Sequence, residues 1–180
     1  DLRTATIHSV NAVFARLMMD VGPANVVDLV KKMGIQSPIE PVPAIALGGL
    51  GVGVSPLEMA SAYTTFANGG FHTKPVAITK ITDTNGNIIK ENTPYAEPVL
   101  NPVNAYLIVD VLKDVISAGT GRRAQIGRPA AGKTGTTENY GDAWFVGFTP
   151  QLSTSVWVGY LDSRRPMRGV HGITVQGGTL

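Results

Sequence analysis

Gly132-Lys133-Thr134-Gly135-Thr136-Thr137, followed after the bridge Glu138 to Gly141 by Asp142-Ala143-Trp144-Phe145-Val146-Gly147-Phe148-Thr149-Pro150, is the stretch that decides the fold. Ala143 to Phe148 is rich in aromatic and β-branched residues, and Thr154 to Tyr160 has the same character; with Pro150 and Gln151 between them the two runs predict a hairpin. Ala131 to Thr136 predicts a third, shorter strand inside a glycine-rich region, 120–141, that otherwise lacks periodicity. Short strands beside helical segments predict an α+β fold, a mostly antiparallel sheet flanked by helices.

Outward from this stretch the pattern is helical. Residues 2–19 read as one helix with Leu2, Thr6, Val10, Val13, Leu17 and Met18 on one side, and a second helix starts at Pro23, carries Val26, Val27, Val30 and Met33, and stops at Gly34. Ser55, Pro56 and Glu58 form a helix start in which the serine caps and the glutamate reaches back; Met59, Tyr63 and Phe66 then face inward. Asn101 caps a further helix through Leu107, Ile108, Val111, Leu112, Val115 and Ile116, with Gly119 beyond its end. Asn85-Gly86 between Ala77 to Thr82 and Asn87 to Glu91 predicts a tight hairpin. After Asp162 the Gly- and Arg-rich tail predicts no closing element.

Composition narrows the function classes. With 43% hydrophobic and 16% charged residues over 180 positions the chain is globular rather than disordered. Its net charge of +2 and its pairs Arg122-Arg123 and Arg164-Arg165, set among small and turn residues, imply no nucleic acid. The lack of cysteine excludes disulfides, thiolate metal sites and cysteine nucleophiles. His8, His72 and His171 are scattered without ligand spacing, so neither a metal site nor a cofactor is expected. Ala44 to Val54, the longest apolar stretch, is short and holds four glycines; any membrane anchor is expected in a preceding N-terminal part.

Lys133 belongs to two motifs. Gly127, Gly132, Lys133 and Thr134 satisfy the phosphate-loop pattern, but that loop needs a buried strand before it and a helix after it, and neither is predicted here. Read forward, Lys133-Thr134-Gly135 with Thr136 and Thr137 on a strand is the third element of the set used by penicillin-recognising serine enzymes. Ser9-Val10-Asn11 supplies the Ser-x-Asn element, in the expected order. Tyr140 and Trp144 are candidates to line a groove, although strand aromatics such as Trp144 and Trp157 more often fill a core.

On these residues, and on Leu47 to Asn68 with its Ser55-Pro56-Leu57-Glu58-Met59-Ala60, the chain resembles the transpeptidase domain of class A penicillin-binding proteins, along its whole length. The resemblance implies a serine β-lactamase/D,D-transpeptidase-like fold and a peptidoglycan D,D-transpeptidase on the extracytoplasmic face of the bacterial membrane. Its partners would be stem peptides ending in D-Ala-D-Ala and β-lactams. It assigns catalytic roles to Ser9, Asn11 and Lys133 and substrate binding to Thr134, Gly135, Thr136 and Thr137, with the Thr136 backbone N–H as an oxyanion donor.

The chain departs from the family in one respect. Its serines, Ser9, Ser37, Ser55, Ser61, Ser117, Ser153, Ser155 and Ser163, are followed three residues on by Ala, Glu, Glu, Thr, Thr, Val, Val and Pro, so the Ser-x-x-Lys nucleophile is missing. The expectation is that residues 1–180 are the C-terminal portion of a transpeptidase domain, starting after the Ser-x-x-Lys helix and lacking the last helix, with the rest of that domain as partner and an apolar face left uncovered. The alternatives are a noncatalytic peptidoglycan-recognition or scaffold module, and a serine β-lactamase, which Ser9-Val10-Asn11 disfavours because it lacks the aspartate of Ser-Asp-Asn.

Overall fold

The computed structural model describes residues 1–180, in chain order α1 (Leu2–His8), α2 (Asn11–Val21), α3 (Pro23–Lys32), α4 (Pro56–Ala67), β1 (Phe71–Thr73), β2 (Lys80–Thr82), β3 (Ile88–Glu91), β4 (Ala96–Pro98), α5 (Pro102–Ser117), β5 (Ala131–Thr136), β6 (Asp142–Phe148) and β7 (Ser153–Gly159), joined by short 3₁₀ turns. The main sheet has the order β5-β6-β7 and is antiparallel throughout, with Lys133 opposite Val146 and Trp144 opposite Trp157. β1 pairs with β4 and β2 with β3 as separate antiparallel ribbons. The fold is α+β, as expected.

The core follows from the helical spacing. Leu112 and Val115 of α5 meet Ala131 of β5 and Phe148 of β6, and Tyr63 and Phe66 of α4 close over them, ring edge to ring face at 5.5 Å from each other. A second cluster joins Met33, Ile35 and Ala62, with Met59 against it, where the chain leaves α3 and returns to α4. Glu58 fixes that junction. Its carboxylate completes the capping box with Ser55 and also accepts from the Gln36 and Ser37 amides at 2.9 and 2.7 Å and from Ser37 Oγ at 2.8 Å. Burial raises its pKa, but the hydrogen bonds from Ser55, Ser37 and Gln36 outweigh burial and hold it at about 2. Asn101 caps α5 as predicted, accepting from the Val103 amide at 2.9 Å.

Three expectations need correction. Residues 2–19 are not one helix: Ser9 takes the left-handed conformation (φ 55°, ψ 51°) and Val10 is extended, so the chain breaks between α1 and α2. Ala5 and Met18 are buried, whereas Leu2 and Val10 of the predicted apolar side are exposed. The Asn85-Gly86 hairpin forms as β2–β3, but its turn differs from the tight one expected: only Gly86 has positive φ, and Asp83 organises the turn, accepting from the Asn85 and Asn87 amides at 2.9 and 2.8 Å. A type I′ turn needs positive φ at both central residues; here a side-chain acceptor builds a wider loop and shortens the strands. The tail does close on the sheet: Met167 and Val175 bury Ala143, and Val175 donates its amide to Met167 at 2.9 Å.

His72 Nε2 lies 3.0 Å from Ser61 Oγ in a buried pair, and burial holds its pKa below the ordinary histidine value. No helix is long and apolar enough to cross a membrane.

Candidate active site

β5 is an edge strand, and its pairing pattern decides what that edge offers. The Thr137 amide donates to the Asp142 carbonyl at 3.1 Å, which makes 137 and 142 a hydrogen-bonded pair. Backbone groups alternate in an antiparallel ladder, so Lys133 and Gly135 turn their amides to β6, and Thr134 and Thr136 turn theirs to the open edge. The Thr136 N–H therefore faces the position an added strand would occupy. The phosphate-loop reading fails on the same ground, because Lys133 lies inside a strand and a short 3₁₀ turn, Glu138–Tyr140, follows instead of an α-helix.

Lys133 reaches across to α1. Its Nζ donates to Ser9 Oγ at 2.8 Å and to the Thr134 carbonyl at 3.0 Å, with no carboxylate paired to it. Burial among these neutral groups lowers its pKa to about 8. Ser9 can be met there because of its left-handed backbone, a conformation costing roughly 1 kcal/mol in a residue other than glycine. The Val10 amide stabilises the turn by donating to Ala5 at 2.9 Å. Two residues 124 positions apart are thus within one hydrogen bond.

The other predicted residues divide. Thr134 Oγ1 lies 2.7 Å from Thr120 Oγ1, and Thr136 Oγ1 accepts the Gly177 amide at 3.0 Å, which leaves its own proton free to donate. Thr137 Oγ1 accepts the Asp142 amide at 2.8 Å and supports the end of the strand. A Cβ on Gly135 would stand 3.3 Å from that of Trp144, on the side where the groove opens. Asn11 is exposed at the first position of α2, and its carboxamide has no hydrogen-bonded partner within the chain.

Lys133 to Thr137 form one wall of a cavity of about 550 Å³, and Trp144, Val146 and Trp157 form its floor. Its opposite wall is apolar, made by Val26 and Val30 of α3, Leu47 and Leu50, and Met59 and Tyr63 of α4. Trp144 and Trp157 both line this cavity, while Tyr140 stays outside the lining and stacks under Arg168.

Residues 1–169 match the family model of the penicillin binding protein transpeptidase domain. The chain belongs to the penicillin-binding protein transpeptidase family. It is 45% identical over 160 residues to Penicillin-binding protein 1A of Aquifex aeolicus, covering 88% of this chain and 22% of that protein, and 37% identical over 182 residues to Penicillin-binding protein 1A of Neisseria meningitidis, covering 97% and 23%. It thus spans less than a quarter of these relatives' length. Among solved structures it is similar to the PonA1 protein of Mycobacterium tuberculosis in complex with penicillin V (TM-score 0.88, 28% identity, 99% of this chain and 52% of that one) and to Penicillin-Binding Protein 1A of Haemophilus influenzae (TM-score 0.85, 28% identity, 99% and 32%).

Within this transpeptidase family fold, two features lay outside the sequence reading. Thr120, beyond the end of α5, touches the Lys-Thr-Gly strand, and no local pattern marks it. Asp142 gathers the Trp157 indole N–H at 2.9 Å, the Thr137 hydroxyl at 3.3 Å and Arg164 at 3.7 Å, which fixes the far end of the groove. Its place opening the Asp142 to Pro150 strand was visible, but its partners were not.

Proposed function

We propose that these residues form the carboxylate-anchoring part of a peptidoglycan D,D-transpeptidase that cross-links stem peptides through a serine acyl-enzyme and is acylated by β-lactams. The observation that carries this reading is the Lys133–Ser9 hydrogen bond at an open strand edge, beside a groove with one polar and one apolar wall. Lys133, unpaired by any carboxylate, together with the Thr134 and Thr136 hydroxyls receives the terminal carboxylate of a D-Ala-D-Ala peptide. The peptide adds to the edge of β5 over Gly135, and the Thr136 N–H donates to the oxyanion of the attacked carbonyl.

Ser9 passes a proton, through its contact with Lys133, to the departing D-alanine amine. Asn11, free of internal partners, hydrogen-bonds the substrate's peptide group. An amine of a second stem then attacks the acyl-enzyme, so that one ester bond breaks as one peptide bond forms. The attacking serine lies outside residues 1–180, since no Ser-x-x-Lys occurs within them. The apolar wall of the groove is where the element bearing it packs, which makes the rest of the domain this chain's partner. The enzyme acts on the extracytoplasmic face of the membrane, where peptidoglycan is assembled.

Labelling of the full-length protein with a fluorescent penicillin, followed by peptide mapping, tests the reading. The adduct is expected on a serine outside these residues, and Lys133→Ala is expected to slow labelling about a hundredfold. Labelling should also decline as pH rises past about 8, because Lys133 loses its charge there. An adduct within residues 1–180, or a Lys133→Ala variant as reactive as the parent, overturns it.

A further inference from the structure

The turn after α5 binds both halves of the site. Gly119 has no room for a Cβ, which would run into the Ile7 carbonyl, so this turn meets α1 backbone to backbone. The Thr120 amide then donates to Ile7 O at 3.2 Å, two residues before Ser9. The side chain of the same residue points the other way, its Oγ1 lying 2.7 Å from Thr134 Oγ1 on β5. The loop of contacts closes through Lys133 Nζ and Ser9 Oγ at 2.8 Å. At its far end α1 is tied to the same helix by Arg3, which pairs with Asp110 and Asp114. α5 and its exit turn are thus a common base for the serine of one element and the lysine of the other.

The hydroxyl pair adds a direction. Each threonine hydroxyl has one proton to give and two lone pairs to accept with. Thr134 can give its proton to a ligand carboxylate only when the short contact to Thr120 is filled by the Thr120 proton. We propose that Thr120 is a positioning residue: it donates to Thr134, leaves the Thr134 proton aimed at the ligand carboxylate, and polarises that hydroxyl as the first member of a donor chain. This rests on the carboxylate-anchoring reading given above. Thr120 never touches the reacting atoms, and its backbone bond to Ile7 does not depend on its side chain.

Thr120→Val keeps the shape and the backbone bond and removes only the hydroxyl; Thr120→Ser restores it. Thr120 is exposed, so neither change disturbs the core, and circular dichroism checks that both variants fold. In the full-length protein, acylation is measured by competition of benzylpenicillin, and separately of its methyl ester, against a fluorescent penicillin. Thr120→Val is expected to slow acylation by the carboxylate form about tenfold and by the ester less than about twofold, with Thr120→Ser within about twofold of the parent for both. Because Thr120 acts through Thr134, Thr120→Val combined with Thr134→Val is expected to be no slower than Thr134→Val alone. Equal slowing of acid and ester, or no slowing of either, overturns the role of Thr120, while a reactive parent together with a slowed Lys133→Ala variant upholds the anchoring reading. A parent that does not react, or a Lys133→Ala variant that matches it, overturns the anchoring reading and this inference with it.

Discussion

In β6–β7, Asp142 to Phe148 pair with Ser153 to Gly159 without a break, and Ala143, Val146 and Phe148 are buried against the rest of the chain. In β2–β3 the register slips between Ile81 and Thr82, and every strand residue is exposed, Ile89 by 67%. Both ribbons arise from runs of strand-forming residues around a turn. What separates them is what lies on their faces. α4 and the tail cover β6–β7, and Ser153 donates to the Ala60 carbonyl at 2.7 Å, whereas β2–β3 holds together by its own ladder, the Asp83 turn and the Lys80–Glu91 ion pair at 3.6 Å. Ladder and turn suffice to shape a ribbon, but only burial couples it to global stability and to the site.

That difference can be broken in order of size. The largest stability effect is expected from Gly132→Ala, whose Cβ would stand 2.8 Å from the Val146 carbonyl oxygen and 2.9 Å from Gly147 Cα. Main chain cannot yield there, so denaturant unfolding should show a loss of about 3 kcal/mol, with penicillin labelling lost in parallel. Glu58→Gln comes next, at about 2 kcal/mol, because four donors lose a charged acceptor.

Its pH signature is specific. A carboxyl held at about 2 when folded and near 4.5 when unfolded contributes stability above pH 4.5 and loses it as pH falls toward 2. Thermal melts of the parent should show this slope, and those of Glu58→Gln should lack that part of it. On the exposed ribbon, Asp83→Ala is expected to raise hydrogen exchange only between Lys80 and Glu91, leaving labelling unchanged. Ile89→Thr, the smallest, should stay within about 0.5 kcal/mol. A large global effect from either ribbon change would show that β2–β3 is coupled to the core after all.

The strands of the main sheet were legible because their signal is local: alternating aromatic and β-branched residues mark β6 and β7 to within a residue, and Ser55-Pro56-Leu57-Glu58 marks the start of α4. The break at Ser9 was not legible. Residues 2–19 carry a helical pattern throughout, and no glycine or proline announces a left-handed residue at position 9. The closing tail was missed for a related reason, since Met167 and Val175 are isolated apolar residues whose burial depends on Ala143, far away in sequence.

Residue chemistry alone marked out the lysine, two hydroxyls and glycine within Lys133 to Thr136 as candidates for the proposed carboxylate anchor, because charge, donor count and lack of a side chain belong to each residue wherever it lies. Tertiary structure decided that Ser9 faces Lys133, that Thr136 turns its amide outward, and that Thr120 joins the two halves. Those are matters of distance and direction between segments that lie up to 124 residues apart, and they exist only once α1, α5, β5 and β6 are packed together.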